Sequence, residues 1–386
     1  MKVLYVIESL GEGGTERSLA ELLPPLTAAG VEAEVVCLFD RSGAREEVAA
    51  RCIPVTVLPA GGWARRMMAL RRSLAVSRPD LVHTMLFRAD LAGRLAAVGR
   101  GVPVLGSLVS TPYDPVRLRD PGVRRWRLAR ARLADAVTAR WLCDHFHAVS
   151  HAAKEAAVAA LGVAPERVTV IPRGRDPERL GRPSPERRRR ARAALGLGED
   201  EEVAVHAGRH EFAKGLPNLI AAVAELAPRR PRLRVWIAGR EGALTGELER
   251  RIAAAGLGER VRVLGHRDDL PEVLAAADLF VFPSLYEGLP GAVIEAMALG
   301  LPVVASDIPP VREVVEPDAS ALLVPPGDPE SLAAAIDAML TDRARAAAFG
   351  RRGREIFEER FTLERSVKGM LELYRQLLGG GLRDHQ

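Results

Sequence analysis

Leu279-Phe280-Val281-Phe282-Pro283-Ser284-Leu285-Tyr286-Glu287-Gly288-Leu289-Pro290-Gly291-Ala292-Val293-Ile294-Glu295-Ala296 is the stretch on which the reading of this chain turns. Four consecutive large apolar residues ended by a proline read as a strand. Pro290 suits the first turn of a helix, because its missing N–H would have no partner there and its φ is already helical. Glu287 is therefore expected on the strand-to-helix loop, and Glu295 inside the helix, more than one turn further on. Both can look into one pocket, and the free N–H groups at the helix start would draw a phosphate toward Gly288, Leu289 and Pro290.

Working outward, the same rhythm repeats along the chain. Short apolar or β-branched runs at residues 3–7, 34–38, 81–84, 103–108, 146–149 and 168–171 alternate with helical stretches. The pattern then breaks into a proline-, glycine- and arginine-rich interval after Ile171. It resumes at 203–207, 234–238, 261–264, 279–282, 302–305 and 321–324. Alternating strands and helices specify parallel βαβ units, so the expected fold class is α/β, with two tandem doubly wound Rossmann-like domains facing a central cleft. The expected domains are residues 1–175, residues 176–362, and a C-terminal helix with a mobile tail over 363–386. In such sheets function collects on the loops that follow the strands.

The bulk numbers exclude several classes. At 386 residues the chain is longer than one core usually serves, and 48% hydrophobic with 27% charged residues is ordinary globular composition. Three cysteines, at 37, 52 and 143, have neither knuckle spacing nor an even count, and read as buried thiols of a reducing compartment. The first apolar run ends at Glu8, too soon for a signal peptide, and no run of about 18 apolar residues occurs. The expected location is cytoplasmic. An aromatic content of 4% and a net charge of +5 offer nucleic acid little to bind.

Glu295 stands out because residues 292–299 are otherwise wholly apolar, and a carboxylate buried there needs hydrogen-bond donors. A ribose diol supplies two; a nearby arginine is the alternative. A second group, Ala207-Gly208-Arg209-His210-Glu211-Phe212-Ala213-Lys214-Gly215, follows the strand at 203–207. Arg209 and Lys214 there suit a diphosphate, whose departure in sugar transfer leaves negative charge to be stabilised. The plainer alternative is a pair of solvated charges. Lys214 is one of only four lysines, which favours a site that wants a compact ammonium.

These segments, together with Val168-Thr169-Val170-Ile171-Pro172 and Gly300-Leu301-Pro302-Val303-Val304, resemble glycosyltransferase family 4, retaining enzymes of the GT-B fold, over nearly the whole chain. The resemblance implies a retaining, metal-independent transfer of a sugar from a nucleotide-diphosphate donor to an acceptor hydroxyl in glycan, glycolipid or glycoconjugate synthesis, with no further cofactor. It assigns Glu287 to the sugar hydroxyls, Glu295 to the ribose, and Arg209 with Lys214 to the diphosphate. It also sets Gly13 and Gly14, from the loop Gly11-Glu12-Gly13-Gly14, against the same diphosphate. The helix at 363–378 is expected to return to the N-terminal domain.

On the acceptor side the resemblance points to His83 and Arg88 after one strand, and to Ser110 and Thr111 in the loop 106–113. His83 can equally be a core histidine. That loop has no histidine where many relatives carry one, and a transfer in which the leaving phosphate takes the acceptor proton does not need it. Arginines at 65, 66, 71 and 72, and a second group from 117 to 132 around Trp126, read either as solvated helix faces or as a contact with an anionic membrane or a phosphate-bearing, lipid-linked acceptor. Two rival functions are a nucleotide-sugar-binding scaffold without catalysis and a sugar-nucleotide epimerase of the same fold.

Overall fold

The structure, a computed structural model, describes residues 1–11, 13–41, 43–198 and 200–379. Glu12 and the tail from 380, including most of the segment expected to be mobile, lie outside them. Two compact units result, one built from Met1–Arg175 with the segment from Leu363, the other from Asp176–Thr362.

The first unit holds a seven-stranded parallel sheet. Its strands are β1 (Lys2–Ile7), β2 (Glu32–Cys37), β3 (Val55–Val57), β4 (Leu81–Met85), β5 (Val104–Leu108), β6 (His145–Ala148) and β7 (Val168–Val170), in the order β3-β2-β1-β4-β5-β6-β7. The second holds six parallel strands: β8 (Glu202–Ala207), β9 (Leu233–Ala238), β10 (Val261–Gly265), β11 (Leu279–Phe282), β12 (Val303–Ser306) and β13 (Ala321–Val324), ordered β10-β9-β8-β11-β12-β13. Twelve of these strands coincide with the runs read from the sequence. The thirteenth, β3, is a three-residue edge strand between Pro54 and Pro59, too short to show an alternation.

Both sheets are doubly wound. In each, the chain lays strands outward in one direction and then returns to start again on the other side of its first strand, so the order reverses between β1 and β4 and between β8 and β11. Loops on either side of such a reversal run to opposite faces and leave a crevice at the carboxyl ends of the strands. Burial on both faces explains the uninterrupted apolar strands: Leu279, Phe280, Val281 and Phe282 are at most 1% exposed. The helix Leu363–Leu378 closes the first unit, where Met370, Leu373, Tyr374 and Leu377 join the core formed by β1, β2 and the helix Gly14–Ala28. The expectation of buried thiols is met at Cys37 and Cys143 and not at Cys52, which is exposed.

Candidate active site

In the second unit the loops after β8 and β11 are fastened together at the point where the strand order reverses. Leu285 donates its N–H to the carbonyl of Ala213 at 2.7 Å. Gly215 adopts φ +60°, and a Cβ on it would lie 2.1 Å from the Pro283 carbonyl oxygen, so glycine is required both by conformation and by space. The side chains follow: Lys214 Nζ pairs with Glu287 Oε1, both partly shielded at 21% and 14% side-chain exposure. The ammonium also stands 5.3 Å from the centre of the Phe282 ring. One cation and one carboxylate from separate loops thus meet where the sheet directs its ligands.

The other expected donor residues divide. Glu295 is 5% exposed within the helix Gly291–Ala298, as its surroundings in the sequence required. Pro290 caps that helix from just outside, one position earlier than expected, and Gly288 and Leu289 precede it in the loop. Arg209 turns to solvent, 64% exposed, with Glu211 at 3.8 Å as its acidic neighbour.

Two residues of this site escaped the sequence reading. His206, fully buried near the end of β8, approaches the Val281 carbonyl through Nδ1 at 3.1 Å. That carbonyl accepts only, so Nδ1 carries the proton and the Nε2 lone pair is left without a partner. The ring stays neutral, its pKa pushed down to about 3 by burial and then by the charge of Lys214. The hydroxyl of Ser284, also fully buried, has no partner either. A polar residue inside the apolar run Val203-Ala204-Val205-His206-Ala207 was the available signal. A separate cavity of about 820 Å³ lies at the opposite, amino-terminal ends of these strands, against Glu202, Asp278 and Pro302, away from this chemistry.

The first unit's reversal point is arranged differently. Gly13 and Gly14 open the helix Gly14–Ala28, Gly13 as its cap, with the carboxylate of Glu16 from the first turn lying against Gly13. Arg88 is exposed and its backbone N–H donates to Glu8 Oε1 at 3.0 Å. Leu86, just before it, is held at φ +75°, a strained conformation for a branched residue. Ser110 and Thr111 line a cavity of about 460 Å³ together with Leu86, Asp90, Tyr113 and Asp135. In it the Asp90 carboxyl is pushed up to about 7, chiefly by burial.

His83 does not reach that cavity. It is fully buried, and both ring nitrogens are occupied in a chain whose direction is set by its end. The Ile171 carbonyl can only accept, so His147 Nε2 donates to it at 2.9 Å. His147 Nδ1 must then accept from Ser107 Oγ at 3.0 Å, and Ser107 accepts from His83 Nε2 at 2.7 Å. His83 Nδ1 accepts from the Tyr374 hydroxyl at 2.8 Å, which accepts in turn from Tyr5 at 3.0 Å. Every member is neutral: burial lowers His83 well below the usual histidine range and His147 to about 4. Of the two readings of His83, the structure supports the core histidine, with no ring nitrogen left for an acceptor. His147 brings an imidazole to Ser107, within the stretch 106–113 that lacks one of its own.

Two doubly wound units, one carrying an acid and a cation stitched together at its reversal point, make up the architecture of the GT-B sugar transferases. Residues 12–179 match Glycosyltransferase Family 4 and residues 187–356 match Glycosyl transferases group 1. A D-inositol 3-phosphate glycosyltransferase of Xylanimonas cellulosilytica is 32% identical over 311 residues, 77% of this chain and 72% of the relative. The 2-deoxystreptamine glucosyltransferase of Streptomyces kanamyceticus is 29% identical over 76% of this chain and 78% of its own. Among solved structures, Anabaena HepE in complex with UDP-glucose superposes with a TM-score of 0.86 and 25% identity, covering 97% of this chain and 100% of that one. The chain belongs to the group 1 and family 4 glycosyltransferases, and is an enzyme of that class.

Proposed function

We propose that the chain carries out a retaining transfer from a nucleotide-diphosphate sugar to an acceptor hydroxyl, with the donor held by the loops after β8 and β11. The observation that carries the reading is the Lys214–Glu287 pair at the reversal point of the second sheet. The acceptor oxygen bonds to the anomeric carbon as the bond from that carbon to the β-phosphate oxygen breaks, and the departing phosphate takes the acceptor proton. Charge therefore grows on the diphosphate, where Lys214 stabilises it, joined by Arg209 once that exposed side chain swings from Glu211. Glu287, released from Lys214, accepts hydrogen bonds from the sugar hydroxyls. Glu295 receives those of the ribose.

The solved complex of HepE with UDP-glucose supports a nucleotide sugar as donor here. Ser110 and Thr111, at the edge of the cavity that also holds Asp90 and Tyr113, are proposed to face the acceptor. Arg88 is proposed to stand beside them. Gly13 and Gly14, at the start of their helix, are proposed to meet a diphosphate. A panel of UDP-, GDP- and ADP-sugars, scored by thermal stabilisation, identifies the donor, since a ligand that binds only the folded state raises its melting temperature. With that donor, Arg209→Ala and Lys214→Ala should each lose most transfer; undiminished transfer in both variants refutes the assignment.

A further inference from the structure

The described residues expose ten large apolar side chains, and all ten fall between Trp63 and Trp141; the second unit exposes none. The same stretch is electrically unlike the rest of the chain. Residues 63–142 contain sixteen arginines and five aspartates, with no lysine and no glutamate, a net charge of +11 in a chain whose total is +5. Two of those aspartates, Asp90 and Asp135, are buried, so the exposed surface is more positive still.

The helix Arg125–Leu142 concentrates both properties. Its inward side holds Asp135, Thr138 and Ala139, all buried. Its outward side carries Trp126, Leu133, Val137 and Trp141, exposed at 55%, 66%, 51% and 80%, at spacings of seven, four and four that keep them on one face. The helix cannot roll to hide them. Buried Asp135 is held by Arg94 at 2.6 Å, while Arg132 and Arg140 donate to the Ala160 and Leu161 carbonyls at 2.8 and 2.7 Å. Arg127 and Arg130 lie over the Trp126 ring at 5.2 and 5.8 Å, which places their guanidinium groups beside the stripe.

We propose that this face lies on an anionic lipid bilayer, with Trp126, Leu133, Val137 and Trp141 in the headgroup–acyl boundary and Arg124, Arg125, Arg127 and Arg130 on lipid phosphates. Tryptophans at both ends of an apolar stripe suit that boundary, whose chemistry changes from wet to oily over a few ångströms. Guanidinium groups pair with phosphate bidentately. A second copy of this chain would set like charge against like charge, and a nucleic acid would leave Leu133 and Val137 without a partner. No described helix is long and apolar enough to cross a membrane, so the contact is a surface one.

The test is flotation of the full chain with vesicles of phosphatidylcholine alone or mixed with phosphatidylglycerol. Retention is expected on the anionic vesicles only, falling as salt rises. Arg124→Gln, Arg127→Gln and Arg130→Gln together should reduce partition roughly a hundredfold, at about fivefold per arginine. Leu133→Ser with Trp141→Ser should abolish retention while leaving the melting temperature in place, because neither side chain is in the core. The proposal fails if anionic vesicles do not retain the chain, if these variants float like the parent, or if the apolar variants change only its sedimentation as a dimer.

Discussion

The reversal points of the two sheets hold polar clusters built on opposite plans. In the second unit, Lys214 and Glu287 are charged, partly exposed and bound to each other, so each can exchange its partner for a ligand at little cost. In the first, His83 belongs to a neutral chain from Tyr5 to the Ile171 carbonyl in which every donor has an acceptor. Breaking that chain strands a buried polar group. A charged pair near solvent suits chemistry; a sealed neutral chain suits assembly, here tying Tyr374 of the last helix to β1, β4 and β5.

The contrast is sharpest when one member of each cluster is removed. Lys214→Ala should reduce kcat by about 10²- to 10³-fold, the usual size for one lost charge-stabilising group, with the melting temperature nearly unchanged. Tyr374→Phe should do the reverse. It leaves His83 Nδ1 unsatisfied and should destabilise by about 1–3 kcal/mol, visible as a lower melting temperature with kcat intact. Equal effects of both variants on both readouts would erase the distinction between the clusters.

Gly215→Ala tests whether the two donor loops must touch. The left-handed backbone alone costs about 1–2 kcal/mol, and the Cβ would press on the Pro283 carbonyl. Donor affinity should fall along with stability, whereas a loss of stability alone would mean the loops need not be fastened to bind.

A pH dependence follows from the buried histidines. In the unfolded chain they titrate near 6.5, whereas His147 and His206 titrate near 4 and 3 in the fold. Between those values the unfolded state binds more protons, so their contribution to stability is full above about pH 6.5 and is lost as the pH falls toward 4. The melting temperature should drop by several degrees between pH 7 and pH 5. A flat profile would show that these rings are solvated.

Most of the fold was legible because strands buried on both faces need unbroken apolar runs, and twelve such runs stand between helical segments. The short edge strand β3 was not, since three residues carry no period. For the site, sequence spacing is local: it could set Glu287 and Glu295 eight residues apart, but not show that Lys214 meets Glu287, seventy-three residues later. That contact depends on β8 lying next to β11, which is topology. His83 and Lys214 look equally chemical in the sequence; only burial and hydrogen-bond direction separate them. His206 was overlooked because one histidine in an apolar strand has no partner in the sequence to announce it.

Lys214 is proposed to serve the donor diphosphate. Calorimetric titration of UDP into the parent chain and into Lys214→Gln tests it most directly. The expected result is a loss of roughly tenfold or more in affinity, matching one charge-assisted contact of about 1.5–3 kcal/mol, with Tyr374→Phe binding UDP like the parent. Equal affinity of the Lys214→Gln and parent chains for UDP would rule out a diphosphate contact by Lys214.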